Sequence, residues 1–254
     1  MNFSALHHQP APLIIANVWD ASSALAAHQA GYLALGTSSA AIAALLGYED
    51  GEAISFDELL FMVTRIQAVT TLPLSVDLES GYSETTKNGI IENIQRLAQL
   101  GVVGVNLEDS RVIEGVRQPE NASAFATKLG QIRQACPEIF LNIRTDGFLL
   151  NDDNALNETR RRGQLYAAQG ADGFFVPGVT REEDIRALVR DVPLPLNVMC
   201  MPTLADFATL AVSGVRRISM GNFVHSSIQT RLKDLLLTIK NEQSFAGVFS
   251  HESH

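Results

Sequence analysis

The sequence predicts an α/β fold of the (β/α)8 TIM-barrel type, in one domain over residues 1–254, and three observations predict it. Short β-branched or apolar runs recur eight times, each followed by a longer stretch of helical character, as a parallel sheet with crossover helices requires. Gly31, Gly101, Gly170 and Gly214 each stand two or three residues ahead of a run, where a helix would close on a left-handed residue. A chain of 254 residues with 46% apolar content also matches one barrel in size and can bury a large core.

The first run is LIIANV, residues 13–18. Asp20 then stands as the N-cap of a helix from Ala21, and NVWDASSALA carries no glycine-rich dinucleotide fingerprint. LALGTS from Leu33 runs into the Ser38–Ser39 turn, and LSVDL from Leu74 follows a helix beginning near Phe56. A helix near Thr85 leads to VGVNLED from Val103. Between that run and a helix near Ser123 lies an irregular stretch, residues 110–123, which is either an active-site lid or a passive connector. FLNIRTD from Phe140, GFFVPG from Gly173, LNVM from Leu196 and RRISMG from Arg216 complete the set, with helices near Ala155, Arg181, Leu204 and Ser227. The last helical segment, about residues 227–242, places Leu232, Leu235, Leu236 and Ile239 on one face.

A formal charge of -9 without a Lys/Arg run argues against nucleic-acid and anionic-membrane partners, both of which select a positive patch. No apolar run reaches the ~18 residues of a membrane span, and the start MNFSALHHQP lacks the pattern of a signal peptide. A cytoplasmic protein is therefore expected, with Cys136 and Cys200 as buried, reduced thiols. His7, His8, His251 and His254 lie near the termini and are expected to be solvated. Trp19 reads as packing at the barrel end. His225 reads as a helix-start or interface histidine, with an acid or base at the mouth as the alternative.

Barrel active sites are built from the C-terminal ends of strands, and this chain places unusual polar residues there repeatedly. The third run ends in Asp77 and Glu79, the fourth in Glu108 and Asp109, and the fifth in Arg144, Thr145 and Asp146. Each alone reads equally well as a solvated residue, a helix cap or half of an ion pair. Together on adjacent strands, carboxylates without His or Cys select a hard cation such as Mg2+ or Mn2+. Arg144 would add a fixed fork for a substrate carboxylate or a developing oxyanion.

The motifs NVWDASSALAAHQAGYLALGTSS, LLGYED, VDLESGY, GVNLEDS, NIRTDGF, GADGFFVPGV, PLNVM and GVRRISMGN resemble, in order, the isocitrate lyase and phosphoenolpyruvate mutase superfamily, especially its short phosphoenolpyruvate-phosphonomutase-like members. The resemblance covers about residues 12 to 222. It implies that Asp77 binds the metal directly, that Glu79 and Glu108 hold it through water, and that Asp50 lies beside the reacting centre. It implies too that Ser38 and the backbone of Ser39 and Ala40 bind the substrate carboxylate, with Arg144 on the substrate; Asn197, in the seventh run, reads from its position as either a substrate contact or a packing or backbone hydrogen-bonding residue. The implied function is a Mg2+-dependent lyase acting on a small 2-oxocarboxylate, by C–C cleavage or decarboxylation through an enolate.

Departures from the family pattern narrow this. The lid motif with a catalytic cysteine is replaced by SRVIEGVRQPEN, so an isocitrate or methylisocitrate lyase is disfavoured. Arg117 and Asn121 are loose analogues of the lid lysine and asparagine of the mutase and phosphonopyruvate-hydrolase branches. Their P–C chemistry is the alternative, for which Arg111, Arg117 and Lys128 would have to supply cationic donors. Glu79 stands where the family has aspartate. A rival from another class is a non-catalytic 2-oxo acid binding protein. The resemblance also implies a homodimer or homotetramer that exchanges its last helix, although the same apolar stripe could pack on its own barrel.

Overall fold

The computed structural model describes residues 2–82, 89–151 and 153–249. Its strands are β1 (Leu13–Val18), β2 (Leu35–Thr37), β3 (Leu74–Asp77), β4 (Gly104–Glu108), β5 (Ser110–Ile113), β6 (Val116–Pro119), β7 (Phe140–Arg144), β8 (Gly173–Phe175), β9 (Leu196–Met199) and β10 (Arg217–Ser219). All but β5 and β6 pair in parallel and close into a barrel, in the order β1-β2-β3-β4-β7-β8-β9-β10 and back to β1. Each of the eight runs read from the sequence supplies one of these strands.

The helices are α1 (Phe3–Leu6), α2 (Ala21–Gln29), α3 (Ser39–Leu46), α4 (Phe56–Gln67), α5 (Ile90–Gln99), α6 (Ala122–Ala135), α7 (Ala155–Ala168), α8 (Glu182–Asp191), α9 (Phe207–Val212) and α10 (Phe223–Glu242). Their local causes are visible in the sequence. In α4, Ser55 and Glu58 form a reciprocal capping box, and Phe56, Leu59, Met62, Val63 and Ile66 make one buried face at helical spacing. Asp20 caps α2 as expected, accepting from the Ser23 N–H at 2.7 Å. The four glycines that punctuate the sequence all take left-handed backbone, with φ between 81° and 89°.

Strand side chains alternate between two layers. Outward residues such as Val76, Val105, Leu107, Leu141, Ile143, Phe174 and Val198 are buried against the helices and form the main core. A second cluster closes the N-terminal end of the barrel, where Phe3 and Leu6 of α1 pack on Leu13, Ile15, Ala34 and Phe140.

Several expectations need correction. His7 is 1% exposed rather than solvated, because α1 folds across the barrel end and lays its ring on Phe140 at 4.2 Å between centroids. His8 is exposed as expected. Cys136 is buried but Cys200 is exposed, since the chain leaves β9 there for the loop to α9. Residues 110–123 are not irregular: β5 and β6 form an antiparallel hairpin, and α6 begins at Ala122. Its two-residue turn has both Glu114 (φ 51°) and Gly115 (φ 76°) in the left-handed region, the backbone of a tight hairpin turn that suits strand twist. The last helix starts at Phe223, ahead of Ser227. The expected helix start at Thr85, together with His251 and His254, lies outside the described residues.

Candidate active site

β3, β4 and β7 are neighbours in the barrel, so their C-terminal ends bring Asp77, Glu108 and Arg144 to one mouth. Asp77 Oδ2 accepts from the Ser39 hydroxyl at 2.7 Å and the Ser39 N–H at 3.3 Å, while the Asp77 N–H donates to Thr37 Oγ1 at 2.7 Å. Oδ1 makes no hydrogen bond among the described residues. The side chain is thereby held by one oxygen and offers the other.

Glu79 lies two residues further on, in backbone that a β-carbon makes costly, with φ 49°. Tyr82 shares this strain at φ 55°, and between them Gly81 sits at φ 112°, where an added Cβ would fall 2.3 Å from Ile90 Cδ1. Glu52 clamps the turn by accepting from Ser80 Oγ at 2.9 Å and the Tyr82 N–H at 2.8 Å. The Glu79 carboxylate, 4% exposed, accepts from the Tyr82 hydroxyl at 2.6 Å on Oε1, and its buried Oε2 has no hydrogen bond among the described residues. Burial, and then the charge of Asp50, push its carboxyl well above the usual range.

Glu108 is 3% exposed and lies between two guanidinium groups. Arg144 Nη1 stands 3.1 Å from Oε2, too oblique for a hydrogen bond, and Arg117 Nη1 donates to Oε1. Burial raises the Glu108 carboxyl, and Arg144 and Arg117 oppose it without cancelling it. Arg144 is further fixed by Asp146, whose Oδ1 accepts from Nε at 2.7 Å. Burial of Asp146 is outweighed by this guanidinium, so its carboxyl falls below the usual range. Asp50 follows α3 and is about half exposed, with Oδ2 3.9 Å from Arg117 Nη2. Burial in the crowded mouth and the nearby Asp77 raise it.

The other expected residues are placed differently. Ser38 caps α3, its Oγ accepting from the Ala41 N–H at 3.3 Å, and Ser39 and Ala40 open that helix. The Ser39 N–H and hydroxyl turn to Asp77. Asn197 is wholly buried in the barrel lumen, where Oδ1 accepts from Ser219 Oγ at 3.3 Å, below the mouth rather than lining it. Asp109 points away from the mouth into a buried pair with Arg162 Nη1 at 2.7 Å and the Tyr166 hydroxyl at 2.6 Å. Asn121 is a helix cap, accepting from the Ser123 and Ala124 N–H groups. Trp19 and His225 pack edge to face at 4.9 Å, which makes both packing residues of the barrel end.

Sequence reasoning undervalued Arg117. It projects from β6 over the mouth and also reaches Ser110 Oγ at 3.1 Å and Asp146 Oδ2 at 3.2 Å. The alternation along β5 and β6 would have assigned it to the inner face, but only once the stretch is read as a hairpin. Arg111 and Lys128 instead converge on Glu120. A cavity of about 240 Å3 lies under the hairpin, lined by Glu52, Glu79, Glu108, Arg111 and Val112 among others. Its lining carries three glutamates and one arginine and includes neither Asp77 nor Arg144, so it adjoins those two side chains rather than enclosing them.

No three His, Cys, Asp or Glu side chains converge tightly enough among the described residues to enclose a metal directly. A Mg2+ site of the type expected does not need that, because Mg2+ keeps several waters and takes one or two carboxylates. The free Asp77 Oδ1 and the buried, unbonded oxygens of Glu79 and Glu108 fit one direct ligand and two water-mediated ones.

A closed parallel barrel that gathers strained carboxylates and a pinned guanidinium at its strand ends is an enzyme of the barrel class. Residues 3–240 match the family described as phosphoenolpyruvate phosphomutase, and the chain belongs to that family. An uncharacterized protein of Mycobacterium tuberculosis is 34% identical, covering 89% of this chain and 84% of that one. An oxaloacetate decarboxylase of Bradyrhizobium is 28% identical over 88% of this chain and 78% of its own. Among solved structures, a protein of Burkholderia cenocepacia provisionally described as a phosphonomutase shares 38% identity at a TM-score of 0.84, covering 92% of this chain and 97% of that one.

Proposed function

We propose that this chain is a Mg2+-dependent carbon–carbon lyase that decarboxylates or cleaves a small 2-oxocarboxylate of the oxaloacetate class through an enolate. The observation that carries the reading is the meeting of Asp77, Glu79 and Glu108 with the pinned Arg144 at one barrel mouth. Bound Mg2+, or Mn2+ in its place, would supply Lewis-acid stabilisation of the 2-oxo oxygen as it gains charge.

The protein's own groups account for the rest. Asp77 is fixed by Ser39 and presents Oδ1 to the cation, with Glu79 and Glu108 behind it. Arg144 is held on two sides by Asp146 and Glu108, which orients its remaining N–H groups toward a substrate carboxylate or enolate oxygen without rotameric freedom. With the Ser39 amide and hydroxyl taken by Asp77, Ser38 and the Ala40 amide would be left to meet the substrate carboxylate at the start of α3. Asp50, whose carboxyl is raised, stands beside the reacting centre on the open side, where a proton can be passed. The hairpin contributes Arg111, Val112 and Ile113 to the cavity beside them.

P–C chemistry on a phosphonate is less well supported, because Lys128 is drawn to Glu120 and the lid arginines are committed to carboxylates, Arg117 to Glu108 and Asp146 and Arg111 through Nε to Glu120. The two unpaired thiols accord with a cytoplasmic setting. The outward apolar stripe of α10 supports a homo-oligomer, as a dimer or tetramer. The test is a product assay on oxaloacetate and phosphonopyruvate with and without Mg2+, together with Asp77→Ala. We expect Mg2+-dependent pyruvate formation from oxaloacetate, lowered by at least about a thousandfold in the variant. Normal Mg2+-dependent turnover by Asp77→Ala would sink the assignment, and Mg2+-dependent oxalate binding without any turnover would make the chain a binding protein.

A further inference from the structure

Below the mouth, the barrel lumen is polar where bulky aliphatic side chains commonly fill such a core. Asn106, Asn142, Asn197 and Arg217 are all buried there. Arg217 is 1% exposed and reaches across the barrel, with Nη2 donating to Asn106 Oδ1 at 3.2 Å. Its Nε and Nη1 have no hydrogen bond and it forms no ion pair among the described residues. Asn106 also accepts from Asn142 Nδ2 at 2.8 Å, so the oxygen facing the guanidinium is neutral and shared.

Arginine keeps its charge in such a place, burial bringing it down only to about 10. A buried charge without a carboxylate against it is costly to the fold. Asp77, paired in register with Asn106, is the carboxylate whose field acts on it. The lumen therefore carries a positive charge between the barrel floor, where it acts on His7, and Asp77 at the mouth. This charge adds to Arg144 and Arg117, which are already engaged by Glu108 and Asp146, against the repulsion that Asp77, Glu79, Glu108 and Asp50 exert on a dianionic substrate.

We propose that Arg217 is an electrostatic positioning residue, whose fixed charge beneath the mouth draws a small dianionic 2-oxo acid onto the carboxylate-lined site. The inference rests on the 2-oxo acid reading above and adds to it a source of anion affinity that touches no substrate atom. A merely structural strut would serve through its hydrogen bond to Asn106 alone, so the two roles separate when the charge is cancelled and the bond is kept.

Asn106→Asp does this: it preserves volume and acceptor, and sets a carboxylate on the guanidinium. Calorimetry would measure Mg2+ binding, then oxalate binding to the Mg2+-loaded protein, for wild type, Asn106→Asp and Arg217→Met. We expect both variants to bind Mg2+ at least as tightly as wild type, because a positive charge is cancelled or removed, and to bind oxalate about tenfold more weakly. Opposite signs for cation and anion mark an electrostatic role. Unchanged oxalate affinity in Asn106→Asp overturns the proposal, as does a parallel loss of Mg2+ and oxalate binding. Circular dichroism checks folding: if Arg217→Met unfolds, Asn106→Asp decides, and if both unfold Arg217 is structural and the proposal falls. A wild-type protein that shows no Mg2+-dependent oxalate binding overturns the 2-oxo acid reading first, and this inference with it.

Discussion

His7 shows how one side chain ties the barrel floor to solution pH. Its Nδ1 lies 3.0 Å from the Phe3 carbonyl, which requires a proton on that nitrogen, and its ring is stacked on Phe140. Burial and then the Arg217 charge hold it down at about 3, from an ordinary value of 6.5. The unfolded chain therefore takes up a proton below about 6.5 that the folded chain refuses until about 3. His7 contributes its full stability above the upper limit, and that contribution drains away as pH falls through the window, at about 1.4 kcal/mol per pH unit. Urea unfolding should show wild type losing about 2 kcal/mol more than His7→Leu between about pH 7.5 and about pH 5. Equal losses in the two proteins would remove His7 from the account. The sequence offered no cue to this burial, since a histidine pair near an N-terminus carries no periodicity. Asp20 was legible for the opposite reason, because a cap and its N3 partner are local and sequential.

At the scale of elements, strand ends were readable and their lateral contacts were not. The eight runs and the acidic residues closing them follow from composition and alternation, so the positions of Asp77, Glu108 and Arg144 could be anticipated. Which neighbour each would meet depends on barrel closure, and that is why Ser39 facing Asp77, and Asn197 lying in the lumen, came from the structure. The hairpin was hidden by its turn, in which Glu114 occupies a left-handed position usually given to Asn, Asp or Gly. Arg117 fastens this hairpin to Glu108, Asp146 and Ser110. Arg117→Gln should loosen it, raising amide exchange across residues 111–118 by about tenfold and raising KM for oxaloacetate more than it lowers kcat. Exchange rates identical to wild type would show that Val112, packed against Gly51, is sufficient to hold the hairpin.

For the molecule as a whole, the unsettled surface is α10. Ile228, Leu232, Leu236 and Leu237 are between 44% and 57% exposed along it, and Phe245 and Phe249 beyond it are more exposed still. A face of this kind on a helix of 20 residues is larger than scattered surface leucines and is the observation behind the proposed homo-oligomer. Light scattering should give the mass of at least a dimer, and the double substitution Leu232→Glu with Leu236→Glu should reduce it to that of one chain of 27.6 kDa. A monomeric wild type would return the stripe to solvent. The sequence exposed the stripe but not its orientation, because amphipathicity alone does not say whose surface covers it.

The clamp on Asp109 has a consequence for how this enzyme could diversify. Arg162 and Tyr166 of α7 grip that side chain, and Arg162 also holds the Glu120 carbonyl at 3.0 Å, so both roots of the hairpin are anchored to one outer helix. The hairpin is in effect a cassette mounted on a fixed bracket. Its tip residues can be exchanged, lengthened or recharged while Asp77 and Arg144 keep their coordinates. Natural variation in what is admitted could therefore accumulate at the Glu114–Gly115 tip without renegotiating the machinery that handles the charge, provided Arg117 of β6 keeps its pairs with Glu108 and Asp146.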